Sequence, residues 1–144
     1  MPLLKKKSRA RIKKGPQSTR AKKAKGQVLQ KWVCKQISEL LNTPYGKDEL
    51  IAPRESGQQG VDVRLVGHIK DLFPFSIECK NHETWNMKAF IDQAKAQQLE
   101  NTSWLLVLKK ASRKKSERID PVVVMDALEF FKLLRKIYQP GEIA

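Results

Sequence analysis

The chain has 144 residues, enough for one domain with its own hydrophobic core and too few for two ordinary ones. Its 29 Lys+Arg stand against 15 Asp+Glu, a formal net charge of +14 that points to a polyanionic partner, nucleic acid before an anionic membrane surface. Met1-Pro2-Leu3-Leu4 runs straight into lysines without an apolar stretch, and the longest apolar run, Trp104 to Leu108, is far too short to span a bilayer; a cytoplasmic protein with no signal peptide and no membrane partner is expected.

Residues 1–25 hold Lys5, Lys6, Lys7, Arg9, Arg11, Lys13, Lys14, Arg20, Lys22, Lys23 and Lys25, which is 11 cations and no acid. Dense like charge with few large apolar side chains cannot offset the entropy of ordering, so this stretch reads as a disordered basic arm. Each phosphate that it neutralises releases counterions, so the arm supplies affinity for nucleic acid and no sequence reading. Without it, 18 cations face 15 acids, and residues 26–144, the expected folded domain, are only mildly basic.

From Gly26 the spacing predicts a helix to Asn42, with Leu29, Trp32, Val33, Ile37, Leu40 and Leu41 at three- and four-residue steps and Thr43-Pro44-Tyr45-Gly46 as its stop. Gln30 stands at the edge of this stripe, either a surface amide or a site residue. A short strand over residues 49–53 precedes the polar loop Arg54 to Gly60, where Ser56 either caps a turn or meets a phosphate. Next, Val61, Val63 and Leu65 alternate with Asp62 and Arg64, and Phe73, Phe75, Ile77 and Cys79 alternate with Pro74, Ser76, Glu78 and Lys80. The residues between, Gly67 to Asp71, read as a hairpin connection. Strand side chains alternate faces, so Glu78 and Lys80 project together, and Asp62 has the parity to join them in one cleft.

Asn86 to Glu100 reads as a second helix, Ser103 to Lys109 as a buried strand, Lys110 to Lys115 as a basic loop and Pro121 to Met125 as another strand. A third helix runs from Ala127 to about Gln139 with Phe130, Phe131, Leu134, Ile137 and Tyr138 inward. The sum, αβββαββα, is an α/β fold with a mixed β-sheet flanked by helices. Cys34 and Cys79 fall in apolar-periodic segments without metal-ligand spacing and read as small buried hydrophobes under reducing conditions.

Hydrolysis of a phosphodiester needs an activated water and neutralisation of phosphate charge, which a divalent cation supplies. Hard Mg²⁺ prefers oxygen ligands, which Asp62, Glu78 and the backbone carbonyl of Cys79 offer, while the Lys80 ammonium can stabilise developing charge. Asn81 and His82, just beyond, are substrate-contact candidates, and Trp85 is placed either to stack on a base or to pack under a loop.

Gly60-Val61-Asp62 followed by Ile77-Glu78-Cys79-Lys80 resembles the D-x(n)-E-x-K core of the PD-(D/E)XK nuclease superfamily. Lys25-Gly26 before Gln30, Ser56-Gly57 before Gly60, and Phe73 through Asn81 extend the likeness to small phage-type Holliday-junction resolvases and related endonucleases, over roughly residues 25–98. The resemblance implies a restriction-endonuclease-like fold, Asp62 and Glu78 as metal ligands and Lys80 as the catalytic lysine. It implies also a first-helix contribution from Gln30, where many relatives carry glutamate, and a place for Gln93 beside the lysine. Mg²⁺, with Mn²⁺ as its substitute, is the implied cofactor, and branched or duplex DNA the implied substrate. A homodimer is expected because symmetric cleavage needs two sites. The competing expectation is a noncatalytic nucleic-acid-binding protein that keeps the same fold.

Overall fold

The computed structural model describes residues 19–55, 57–110 and 112–141. The order of elements is α1 (Thr19–Leu41), β1 (Ile51–Pro53), β2 (Val63–Leu65), α2 (His68–Leu72), β3 (Phe75–Asn81), α3 (Met87–Ala96), β4 (Ser103–Lys110), a 3-10 turn (Lys115–Glu117), β5 (Ile119–Met125) and α4 (Ala127–Tyr138). This is the expected α/β succession with one short helix added.

Among the described residues the strands form two small sheets instead of one. β1 and β2 pair antiparallel, and the other sheet has the order β3-β4-β5, parallel between β3 and β4 and antiparallel between β4 and β5. A parallel pair needs a crossover, and α3 supplies it. β4 is central and buried on both faces, as its unbroken apolar run requires. Leu105 and Val107 join Ile77 and Cys79 against Leu29, Val33, Cys34 and Ile37 of α1, while Trp104, Leu106 and Leu108 meet Phe90 and Ala94 of α3.

Three expectations are corrected by tertiary contacts. The helix begins at Thr19, not Gly26, so Arg20, Lys22, Lys23 and Lys25 ride on its first turns; residues 1–18 of the expected arm lie outside the described residues. Helix hydrogen bonding continues through Gly26 because three good helix formers, Lys22, Lys23 and Lys25, precede it. Second, β2 and β3 are not a hairpin. Gly67, with φ 63°, turns the chain into α2, whose Ile69 is buried in the α1-side core, and β2 pairs with β1. Third, α3 stops at Ala96 because Ser76 Oγ accepts from Leu99 N (2.9 Å) and Thr102 Oγ1 donates to the Leu99 carbonyl (2.7 Å), drawing that residue out of the helix.

The apolar stripes are also narrower than their spacing suggests. Trp32 and Leu40 of α1 are exposed, and α4 buries none of its residues, so Phe130, Phe131, Ile137 and Tyr138 face outward in the single chain. β5 lies at the sheet edge, where Val124 and Met125 pack on the two core clusters while Val122 and Val123 stay exposed like the apolar residues of α4.

Candidate active site

Two backbone contacts bring Asp62 to β3. Its N–H donates to the Ile77 carbonyl (3.0 Å), and its Oδ2 accepts from the Cys79 N–H (2.7 Å). The residue is only 3% exposed, and Arg54 Nη2 lies 3.1 Å from its Oδ1. Arg54 arrives there because the β1–β2 pairing continues one step past Pro53↔Val63, with Arg54 N donating to the Asp62 carbonyl at 2.9 Å. A second bond, from Arg54 Nη1 to the Gly60 carbonyl (2.8 Å), fixes the guanidinium.

Glu78 and Lys80 sit two residues apart on β3 with Ile77 and Cys79 turned to the α1-side core, as strand parity demands. Glu78 is 4% exposed. Its Oε1 is 3.4 Å from Lys80 Nζ, while its Oε2 is buried without a hydrogen-bond partner. Lys80 Nζ donates to Gln93 Oε1 (2.6 Å) and lies 5.5 Å from the centre of the Phe90 ring, so α3 holds the ammonium from a second side.

Electrostatics follow from burial. Desolvation, then the neighbouring Asp62 charge, pushes the Glu78 carboxyl up to about 7 against the pull of Lys80. Asp62 is raised as well, because its desolvation outweighs the Cys79 amide, Arg54 and Lys80. Two carboxyls this close and this dry favour holding a proton between them, which an added cation would replace. His82, whose ring lies 5.1 Å from that of Phe90, is pushed below its ordinary range by burial, Lys80 and Lys22.

Asp62, Glu78, Cys79, Lys80, Gln30 and Gln93 line one cleft of about 630 Å³, and Lys22, Lys23, Lys25, Arg54, Asn81 and His82 form much of its remaining wall. Gln30 is 8% exposed with a buried, unpaired Oε1, which excludes the surface-amide alternative. Asn81 Nδ2 donates to the Lys25 carbonyl (3.4 Å), tying the end of β3 to the start of α1. Trp85 packs against the α3-side core, which accounts for it under a loop. Cys79 is committed twice: its N–H holds Asp62, and its thiol is pushed well above its ordinary value by burial. Arg20 does not line the cleft, and Lys5, Lys6, Lys7, Arg9, Arg11, Lys13, Lys14 and Ser56 lie outside the described residues.

Among the described residues no three His, Cys, Asp or Glu side chains gather into a metal-holding group. The buried donors in the cleft are oxygens, namely the Asp62 and Glu78 carboxylates, the latter with an unpaired Oε2, and the orphaned amide oxygens of Gln30 and Asn81, while His82 is a single imidazole on the same wall. Such a set fits a hard cation like Mg²⁺ that keeps several waters, and it does not fit zinc. Arg54 is the site residue absent from the sequence expectations; the signal for it was the antiparallel register of two three-residue strands, which no periodicity reveals. No family model matches the chain, and comparison with curated proteins and with solved structures finds no match either. Also, no helix among the described residues is long and apolar enough to cross a membrane.

Proposed function

We propose that the chain is a Mg²⁺-dependent endonuclease of restriction-endonuclease-like architecture that hydrolyses phosphodiester bonds in duplex or branched DNA, four-way junctions included. The observation that carries this is the convergence of Asp62, Glu78 and Lys80 in one basic-walled cleft, with Glu78 Oε2 buried and unpaired. Asp62 and Glu78 would hold the cation, with Gln30 as a further oxygen donor. When bound, that ion supplies a water of lowered pKa and a counter-charge for the phosphate. Lys80, fixed between Glu78 and Gln93, holds its ammonium where it can hydrogen-bond the attacking water or a phosphate oxygen. Gln93 is a positioning residue for that lysine. Lys22, Lys23 and Lys25 then receive flanking phosphates on the cleft wall.

The test is incubation of the purified chain with linear, forked and four-way DNA in Mg²⁺ or Mn²⁺. Cleavage of at least one substrate is expected, with a drop of about 100-fold or more for Lys80→Ala at unchanged circular dichroism. Intact DNA throughout, or a Lys80→Ala variant as fast as the parent, sinks the proposal and leaves the noncatalytic nucleic-acid binder.

We further propose a homodimer built on β5 and α4. Among the described residues β5 pairs with β4 alone, and such an edge strand is self-complementary in antiparallel pairing with its own copy. α4 carries Glu129 in its first turn and Arg135 and Lys136 in its last, so two copies lying antiparallel oppose unlike ends.

A further inference from the structure

A second basic cluster lies outside the cleft. Lys109, Lys110, Arg113, Lys114, Lys115 and Arg118 fall within ten residues that hold one acid, Glu117. Residues 26–144 carry 18 cations and 15 acids; removing this segment leaves 12 against 14, so the rest of the folded body is slightly acidic. Packing does not account for the cluster, because the 3-10 turn at its centre has no buried residue. Nor does internal pairing. Lys114 meets Glu117 only at 3.8 Å, both well exposed, and Arg118 Nε donates to the Ser112 carbonyl (2.7 Å), while Arg113 and Lys115 have no acidic partner among the described residues. Like charges held this close raise the energy of the free protein.

Register places the cluster beside the site. The parallel β3–β4 pairing sets Lys80 opposite Leu108 and Asn81 opposite Lys109, so the chain leaves β4 for the basic turn at the end of the sheet where the cleft opens. On the other side of Asn81, its amide reaches the Lys25 carbonyl of α1. Lys25, Asn81 and Lys109 thus run in order across that end. From Lys110 to Lys114 the chain can reach at most about 13 Å, or about four base-pair steps of a duplex.

We propose that the β4–β5 turn is a second phosphate-binding contact, gripping the backbone of duplex DNA that extends beyond the cleft. This rests on the nucleic-acid reading of the cleft but not on catalysis. Binding of a labelled linear duplex by the full chain is therefore measured in EDTA across a series of KCl concentrations. For the triple variant Arg113→Gln, Lys114→Gln, Lys115→Gln, the expected result is at least tenfold weaker binding and a plot of log K against log salt shallower by about 2–3. Unchanged melting shows that the fold is kept. A matched variant away from the cleft and from α4, Lys35→Gln, Lys47→Gln, Lys70→Gln, removes the same charge from exposed positions and is expected to change the slope by less than about 1. Parent-like affinity and slope in the turn variant overturn the proposal, as does an equal loss in the matched variant, which would mean net charge alone. If the parent binds as described and cuts nothing, the nuclease proposal fails and this one stands. If the parent cuts and the turn variant binds like it, only this one falls.

Discussion

Glu78 is where stability and the proposed chemistry oppose each other. A carboxyl held at about 7 in the folded protein and 4.5 in the open chain binds more protons folded than unfolded, so the stability it permits is present below 4.5 and is lost as pH rises to about 7. Asp62, also raised, adds to the loss in the same direction. Replacing Glu78 by Gln is expected to flatten this slope, raising the unfolding free energy near about pH 8 by up to roughly 3 kcal/mol while abolishing cleavage. Mg²⁺ is expected to raise the melting temperature of the parent at that pH and not that of the variant. Thermal melts at about pH 5 and about pH 8, with and without the ion, check both; a Glu78→Gln protein that still loses stability like the parent between them removes Glu78 as the cause. At this scale the sequence was informative: Glu78 and Lys80 share a face as strand alternation requires, and Asp62 lines the same cleft through its bonds to Ile77 and Cys79 and not through a hairpin. Gln30 was ambiguous because whether a residue at the edge of an apolar stripe is buried depends on what packs there.

At the scale of elements, the existence and type of the strands and long helices were legible, while α2 and several ends were not. Residues 103–109 read as a buried strand, and β4 is that strand, because its run Trp104 to Leu108, apolar at every position, has no solvent face. The start of α1 was misplaced by reading charge as disorder, although lysines are good helix formers. Gly26 is now interior to that helix, and a Cβ there meets nothing within 4 Å. Gly26→Ala is therefore expected to stabilise the chain by about 0.5–1 kcal/mol in thermal or denaturant unfolding. A neutral or destabilising result would mean that α1 does not extend through residue 26. The α2 turn and the end of α3 escaped sequence reading because each depends on a distant partner, the α1-side core for Ile69 and the Ser76 hydroxyl for Leu99.

For the whole molecule, the open question is what covers α4. Leu128 is 73% and Tyr138 78% exposed, with Phe130, Phe131 and Ile137 nearby on the surface. An uncovered amphipathic helix beside an open strand edge is the profile of an interface. Light scattering is expected to give a dimer at micromolar concentration, and Phe131→Glu with Tyr138→Glu a monomer whose circular dichroism is unchanged. A parent that stays monomeric at about 100 µM contradicts the dimer. If the proposed nuclease activity holds, two clefts in one such dimer would allow both strands of a duplex or junction to be cut.

Alternation and spacing along the chain determined the order of the strands and of the three long helices and the shared face of Glu78 and Lys80, because these are properties of neighbours in sequence. Tertiary structure alone decided that Arg54 pairs with Asp62, that Gln30 is buried with a free oxygen, and that the basic turn after β4 opens beside the cleft. Each of these is set by how strands pair or which surface covers a helix, and the energies that choose among such arrangements come from contacts between residues far apart in the chain.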